Sequence, residues 1–208
     1  MRIFIINNFW IFIIVNIFKK KMINKTITKI TIILFFMSIL NFKHASANYE
    51  KIIFDFIAKD ISGKEIDLSK YKGKTIMLVN VASKCGFTKQ YKDLQELWKR
   101  YKSKGLIVIG FPSNQFGSQE PGNDKDIKNF CEINYNIDFP IVSKTEVKGE
   151  NAHEIYKWAL KNYGNSTVPK WNFHKILINS EGKVEDTYLS FVNPMSKKII
   201  NKIEKLLN

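Results

Sequence analysis

The chain has 208 residues, 45% hydrophobic and 25% charged, two cysteines and a formal net charge of +14, which fits one globular domain with something added to it. Residues 1–47 carry seven Lys or Arg and no Asp or Glu, leaving 26 basic against 19 acidic residues, about +7, over 48–208. Half of the excess charge therefore lies outside the domain, which excludes reading all of it as one basic surface.

Taken in chain order, the first feature is that front segment. Lys25 and Lys29 precede the apolar run Ile30–Leu40, and a polar stretch then ends in Ala45-Ser46-Ala47. A basic flank, an apolar core and small residues before Asn48 make a secretory signal, with cleavage expected after Ala47. A second apolar run, Ile3–Phe18, lies upstream and contains Asn7, Asn8 and Asn16. Its 16 residues fall short of the ~20 that cross a bilayer comfortably. Two readings stay open: translation beginning at Met22, or one run kept as a membrane anchor.

Residues 48–208 form the expected domain, long enough to bury a sizeable core and free of linkers, repeats or low-complexity tracts. The pattern predicts short strands at Ile52–Ile57 and Glu65–Asp67 joined by a turn at Ser62-Gly63. The run Thr75–Val81 is too continuously apolar for a surface strand, as expected of a sheet covered on both faces. Over Thr88–Ser103, Tyr91, Leu94, Leu97, Trp98 and Tyr101 recur at three- and four-residue spacing before Gly105, which predicts an amphipathic helix. Leu106–Phe111 reads as a second buried strand, so Thr75–Phe111 is a βαβ unit with parallel strands. Asp124 can cap a helix running to about Asn134, and Asn151–Lys161 is another. His174–Ile178 and Lys183–Leu189 read as an antiparallel hairpin, and Ser196–Leu207 as a closing helix. The expected class is α/β, a thioredoxin fold with a central mixed sheet, an N-terminal β-hairpin and flanking helices. Fold class alone does not give function.

The chemistry begins at Cys85, which sits where the Thr75–Val81 strand has ended and the helical pattern is about to start. Helix-start amides and the positive end of the helix dipole favour a thiolate at such a junction, and Lys84 and Lys89 act in the same sense. From this segment alone, a small buried core cysteine remains an equal reading.

Three separated blocks decide between them: VNVASKCGFT at 79–88, GFPSNQFGSQEPG at 110–122 and KWNFHKILIN at 170–179. In that order, and across nearly all of the domain, they resemble the glutathione peroxidase family. The resemblance implies a catalytic tetrad of a peroxidatic cysteine, a glutamine, a tryptophan and an asparagine, which falls here on Cys85, Gln119, Trp171 and Asn172. Amide and indole N–H groups aimed at a thiolate favour its charged form and steady charge on a departing alkoxide or hydroxide. A peroxide would then leave Cys85 as a sulfenic acid. No metal and no other cofactor is called for.

The block FCEINYNIDFP at 130–140 resembles the resolving-cysteine block of the short, two-cysteine, thioredoxin-dependent branch of the family, which implies Cys131 as the resolving thiol. A sulfenic acid condenses with a thiol to a disulfide, and thioredoxin reduces such a disulfide by exchange. Disulfide geometry tolerates Cα separations up to about 7 Å. Because Cys131 falls in a helix expected to hold it away from Cys85, Asp126–Asn134 is predicted to unwind or swing in turnover. Ser113 stands where many members of the family have Cys, leaving Cys131 as the one resolving candidate. Only Ser143–Lys170 separates the third strand from the WNF block, where the tetrameric, glutathione-using members of the family have an insertion. The chain thus resembles the short, monomeric type, a resemblance that implies an open site admitting lipid hydroperoxides beside hydrogen peroxide, with glutathione as a minor donor. The +7 domain allows peripheral contact with an anionic membrane or an acidic thioredoxin.

Other signals are weaker. His44, His153 and His174 are scattered, indicating neither a zinc site nor a Cys-His hydrolase. Cys-Gly-Phe-Thr lacks the second cysteine of a CxxC motif. The basic residues interleaved with aromatics at 91–102 have helical spacing and do not indicate nucleic acid. An alternative class stays open: a non-catalytic secreted thioredoxin-fold module with a static Cys85–Cys131 disulfide. A secretory leader and a need for reduced thioredoxin are reconciled by onward transport to an organelle such as a plastid; translation from a downstream start implies cytosol or mitochondrion.

Overall fold

The structure, a computed structural model, describes residues 51–208. The expected leader at 1–47, its cleavage after Ala47 and the upstream apolar run lie outside the described residues. Among the described residues no helix is long and apolar enough to cross a membrane.

The central sheet is built from β3 (Thr75–Val81), β4 (Leu106–Pro112), β5 (Lys175–Ile178) and β6 (Val184–Tyr188), in the order β4-β3-β5-β6. β3 is parallel to β4, pairing Thr75 with Leu106 and Val81 with Pro112, and antiparallel to β5, pairing Val79 with Lys175. A small antiparallel pair, β1 (Ile57–Lys59) and β2 (Glu65–Asp67), precedes it. The helices are α1 (Gln90–Tyr101), α2 (Asp124–Tyr135), α3 (Glu154–Tyr163) and α4 (Lys197–Leu207). A β3-α1-β4 unit followed by α2, α3, the β5-β6 hairpin and α4 is the predicted thioredoxin fold.

The alternation of side chains along β3 divides the core into two layers. Met77, Val79 and Val81 pack with Tyr91, Leu94 and Leu97 of α1 and with Ile199 and Ile203 of α4. Ile76 and Leu78 face the opposite way, toward Ile155 and Ala159 of α3 and toward Ile53 and Phe54. Every residue of β3 and β4 is buried, which explains their near-continuous apolar reading. The Gly105 stop adopts φ +108, a conformation glycine takes without a Cβ penalty.

Two local expectations are corrected. The strand predicted over Ile52–Ile57 is a 3₁₀ turn at Ile53–Asp55, and strand structure begins only at Ile57. Ile53 and Phe54 are buried consecutively, so no period of two holds there, and the Asp55 carboxylate accepts from Ile52 N at 2.9 Å. The cap of α2 is Asn123, not Asp124: its side chain accepts from Asp126 N at 3.0 Å, and Asp126 accepts from Asn123 N at 3.1 Å.

The pairing has one consequence for function. Because β4 runs with β3 and β5 runs against it, the C-terminal ends of β3 and β4 and the N-terminal end of β5 share one edge. The chain segments carrying Cys85, Gln119 and Trp171-Asn172 all leave or enter the sheet there.

Candidate active site

Cys85 lies in the turn between β3 and α1, 9% exposed. The turn is held from inside: Cys85 N donates to Thr88 Oγ1 at 2.9 Å, and Thr88 Oγ1 donates to Ala82 O at 2.9 Å. Phe87 N then points at the Cys85 sulfur, 3.4 Å away. The sulfur thus faces a backbone N–H that the turn itself orients.

The second block is docked onto this turn. Lys84 N donates to Gln119 O at 2.9 Å, tying the residue before Cys85 to the loop after β4. In that loop Gly117 has φ +63, and a Cβ on it would meet both Gln119 Nε2 and Trp171 Cη2 at 3.5 Å. Glycine is needed here for its backbone conformation and keeps the space between amide and indole open. The Trp171 ring lies edge-on to Phe116, with centroids 6.0 Å apart, and is 40% exposed.

Asn172 is fully buried, and its Nδ2 donates to Gln119 Oε1 at 2.9 Å and to Phe116 O at 3.5 Å. The structure therefore brings Gln119, Trp171 and Asn172 together around Gly117 and joins them to the Cys85 turn through Lys84. The expectation of three direct donors is corrected: none of the three side chains hydrogen-bonds to the sulfur, the Asn172 amide being directed at Gln119 and Phe116, and the hydrogen bond onto the sulfur comes from Phe87 N.

Asn80 was not singled out in the sequence, yet it holds the third block in place. It is fully buried in β3; its Nδ2 donates to Trp171 O at 3.1 Å, and its Oδ1 accepts from His174 N at 3.0 Å. Its backbone carbonyl accepts from Phe173 N at 2.6 Å. Between these contacts Phe173 adopts φ +64, an unfavourable conformation for a bulky residue that the surrounding bonds must sustain. A lone amide in the apolar run Thr75–Val81 was the available signal.

Glu120 was also missed. Its side chain is fully buried, Ser83 Oγ donates to its Oε1, and Oε2 has no hydrogen-bond partner. Burial pushes its carboxyl above the ordinary range, against the Ser83 hydrogen bond and the Lys144 and Lys84 charges, which pull it down.

Cys131 is in α2, 1% exposed, in the same apolar cluster as Cys85, and both cysteines are free thiols. Burial pushes the Cys131 thiol up to about 12. The neighbouring Tyr91 hydroxyl favours the thiolate, and the charges of Glu120 and Glu132 oppose it. Among the described residues no three His, Cys, Asp or Glu side chains converge as a metal site.

Comparisons with known proteins bear on the family and the fold. The sequence model of the family described as glutathione peroxidase matches residues 53–161. A relative described as glutathione peroxidase-like peroxiredoxin 2, from Saccharomyces cerevisiae, is 45% identical over 159 residues, covering 74% of this chain and 96% of its own. A crystal structure of Trgpx in apo form superposes with a TM-score of 0.60 at 38% identity, over 76% of this chain and 96% of that one. A thioredoxin family thiol:disulfide interchange protein from Chlorobium tepidum shares the fold, with a TM-score of 0.55 at 19% identity over 74% of this chain and 93% of that one.

Proposed function

This chain belongs to the glutathione peroxidase family and is a peroxidase, and on that premise we propose that Cys85 reduces hydrogen peroxide and lipid hydroperoxides with Cys131 as its resolving thiol and thioredoxin as reductant. The observation that carries the reading is the joining of Gln119, Trp171 and Asn172 around Gly117, on a loop whose Gln119 carbonyl is bonded to the residue before Cys85.

The Cys85 thiolate attacks the terminal peroxide oxygen, the O–O bond breaks, and the alkoxide or hydroxide leaves with a proton as alcohol or water. Gln119 Nε2 and the Trp171 indole N–H are the donors available to that departing oxygen, and Asn172 acts by fixing the glutamine carbonyl. Cys85 is left as a sulfenic acid, which Cys131 converts to a disulfide with loss of water. Thioredoxin then reduces the disulfide by exchange, with glutathione as a minor donor. The partly exposed Trp171 at the rim suits a bulky lipid hydroperoxide. Monomeric function, peripheral membrane contact through the basic domain and passage through the secretory route belong to the same proposal.

The test is a thioredoxin-coupled peroxide assay on the domain. Wild type turns over and Cys85→Ser does not; Cys131→Ser consumes about one equivalent of peroxide and stalls. Normal cycling of Cys131→Ser on thioredoxin would remove it as the resolving thiol. The competing reading, a static Cys85–Cys131 disulfide, predicts no turnover of the wild type in this assay.

A further inference from the structure

A cleft of about 390 Å³ lies between the Cys85 turn and α2, lined by Ser83, Lys84, Glu120, Pro121, Ile127 and Phe130 among others. Ile127 and Cys131 are one helical turn apart and so share a face of α2. Glu120 therefore stands between the turn that carries the peroxidatic sulfur and the helix face that carries the other thiol. It also interacts electrostatically with both Cys131 and Tyr91. Its buried Oε2 is without a partner, and an unpaired buried carboxyl oxygen is costly to keep. The peroxide step described above leaves this carboxyl unused.

We propose that Glu120 is the proton carrier of the resolution step, its Oε2 taking the proton that Cys131 gives up and passing it to the departing hydroxide. The inference rests on the reading of Cys131 as the resolving thiol. In the step, an S–S bond forms between Cys131 and Cys85 as the S–O bond of the sulfenic acid breaks. The Cys131 sulfur is oxidised, the Cys85 sulfur is reduced, and the thiol proton leaves with the hydroxide as water. Glu120 ends as it began, so no outside acid or base is consumed.

The need for a carrier follows from the thiol's surroundings. Burial holds Cys131 protonated, and a buried thiol without a base would wait for rare ionisation. A carboxyl raised toward neutrality is closer to the reacting proton's needs than an exposed one. The ionisable groups bearing on this exchange are Lys84 from the turn, Tyr91 from α1, Asp126, Cys131 and Glu132 from α2, and Lys144 after β4.

The experiment is a single turnover. Reduced protein receives one equivalent of hydrogen peroxide, and peroxide loss and disulfide appearance are followed separately by rapid quench. Glu120→Gln keeps the shape and the Ser83 contact but carries no exchangeable acid. It is expected to slow disulfide appearance on the order of 100-fold, well beyond any change in peroxide loss. Disulfide appearance at the wild-type rate would overturn the inference. If Glu120→Gln does not fold, as judged by circular dichroism, the wild-type pH profile decides. Levelling of the disulfide rate once a carboxyl has ionised supports the carrier; a tenfold rise per pH unit through pH 8 overturns it. Cys131→Ser separates the two claims. If it stalls while Glu120→Gln forms disulfide normally, only the carrier fails; if it cycles on thioredoxin, the resolving assignment fails as well.

Discussion

Asn172 Nδ2 lies 2.9 Å from Gln119 Oε1, so the two amides work as one unit: the asparagine fixes the glutamine carbonyl and leaves the glutamine N–H₂ to face another acceptor. Hydrogen bonds to charged groups are worth roughly 1.5–3 kcal/mol, or about 10- to 150-fold in rate. Asn172→Ala and Gln119→Ala should each slow oxidation of Cys85 within that range. The double variant should be no slower than the slower single one, because the second change removes a contact already lost. Additive losses in a stopped-flow peroxide assay would mean that the two side chains act separately.

Asn80 carries a stability prediction. Asn80→Leu leaves the Trp171 carbonyl and the His174 N–H without the partners they have now. Each orphaned group costs roughly 1–3 kcal/mol, so a loss of about 2–6 kcal/mol is expected in urea denaturation, with slower peroxide reduction. A variant as stable as wild type would show that the Trp171–His174 turn holds itself.

The helix bearing Cys131 should be tunable from its end. The Asn123–Asp126 capping box closes the first turn of α2, and replacing such a cap by Ala costs about 1 kcal/mol. Asn123→Ala should therefore raise the opened fraction of α2, and with it the rate of disulfide appearance, about fivefold. Hydrogen exchange should show weaker protection of Asp126–Asn134 in oxidised than in reduced protein. Equal protection in both states would count against the swing.

Stability should depend on pH through three buried groups. Burial lowers His174 to about 4 and Lys175 to about 7, and it raises Cys131 to about 12. Between pH 4 and 6.5 the unfolded chain binds a proton at His174 that the folded chain does not, so stability rises with pH. Lys175 does the same between about 7 and 10.5. Cys131 opposes it from about 9 upward, where the unfolded chain loses its proton first. Each group contributes a slope of at most about 1.4 kcal/mol per pH unit. Lys175→Met should flatten the rise between pH 7 and 9, as read by urea denaturation at both values. An unchanged slope would remove Lys175 as its source.

Much of this was legible because the strands that position the site are covered on both faces. Thr75–Val81 and Leu106–Phe111 announced themselves by near-continuous apolarity, and Tyr91 to Tyr101 by helical spacing. The order of the three blocks then implied which loops meet. What periodicity could not supply was contact between side chains distant in sequence. Asn172 looked like a donor to sulfur because its partner, Gln119, lies 53 positions away. Asn80 and Glu120 passed unremarked, because burial and bonding are set by packing. Ile53–Asp55 misled for the opposite reason: two adjacent apolar residues both point inward and mimic a strand.

The cap that steadies α2 also sets a tolerance. On the proposed cycle, every turnover leaves a sulfenic acid waiting for its partner thiol, and a further oxidant molecule arriving in that interval would carry the sulfur on to the irreversible sulfinic state. A firmly wound helix lengthens the wait, a loosely wound one shortens it. The amide of Asn123, far along the chain from the reacting sulfur, thus governs how concentrated an oxidant the molecule survives.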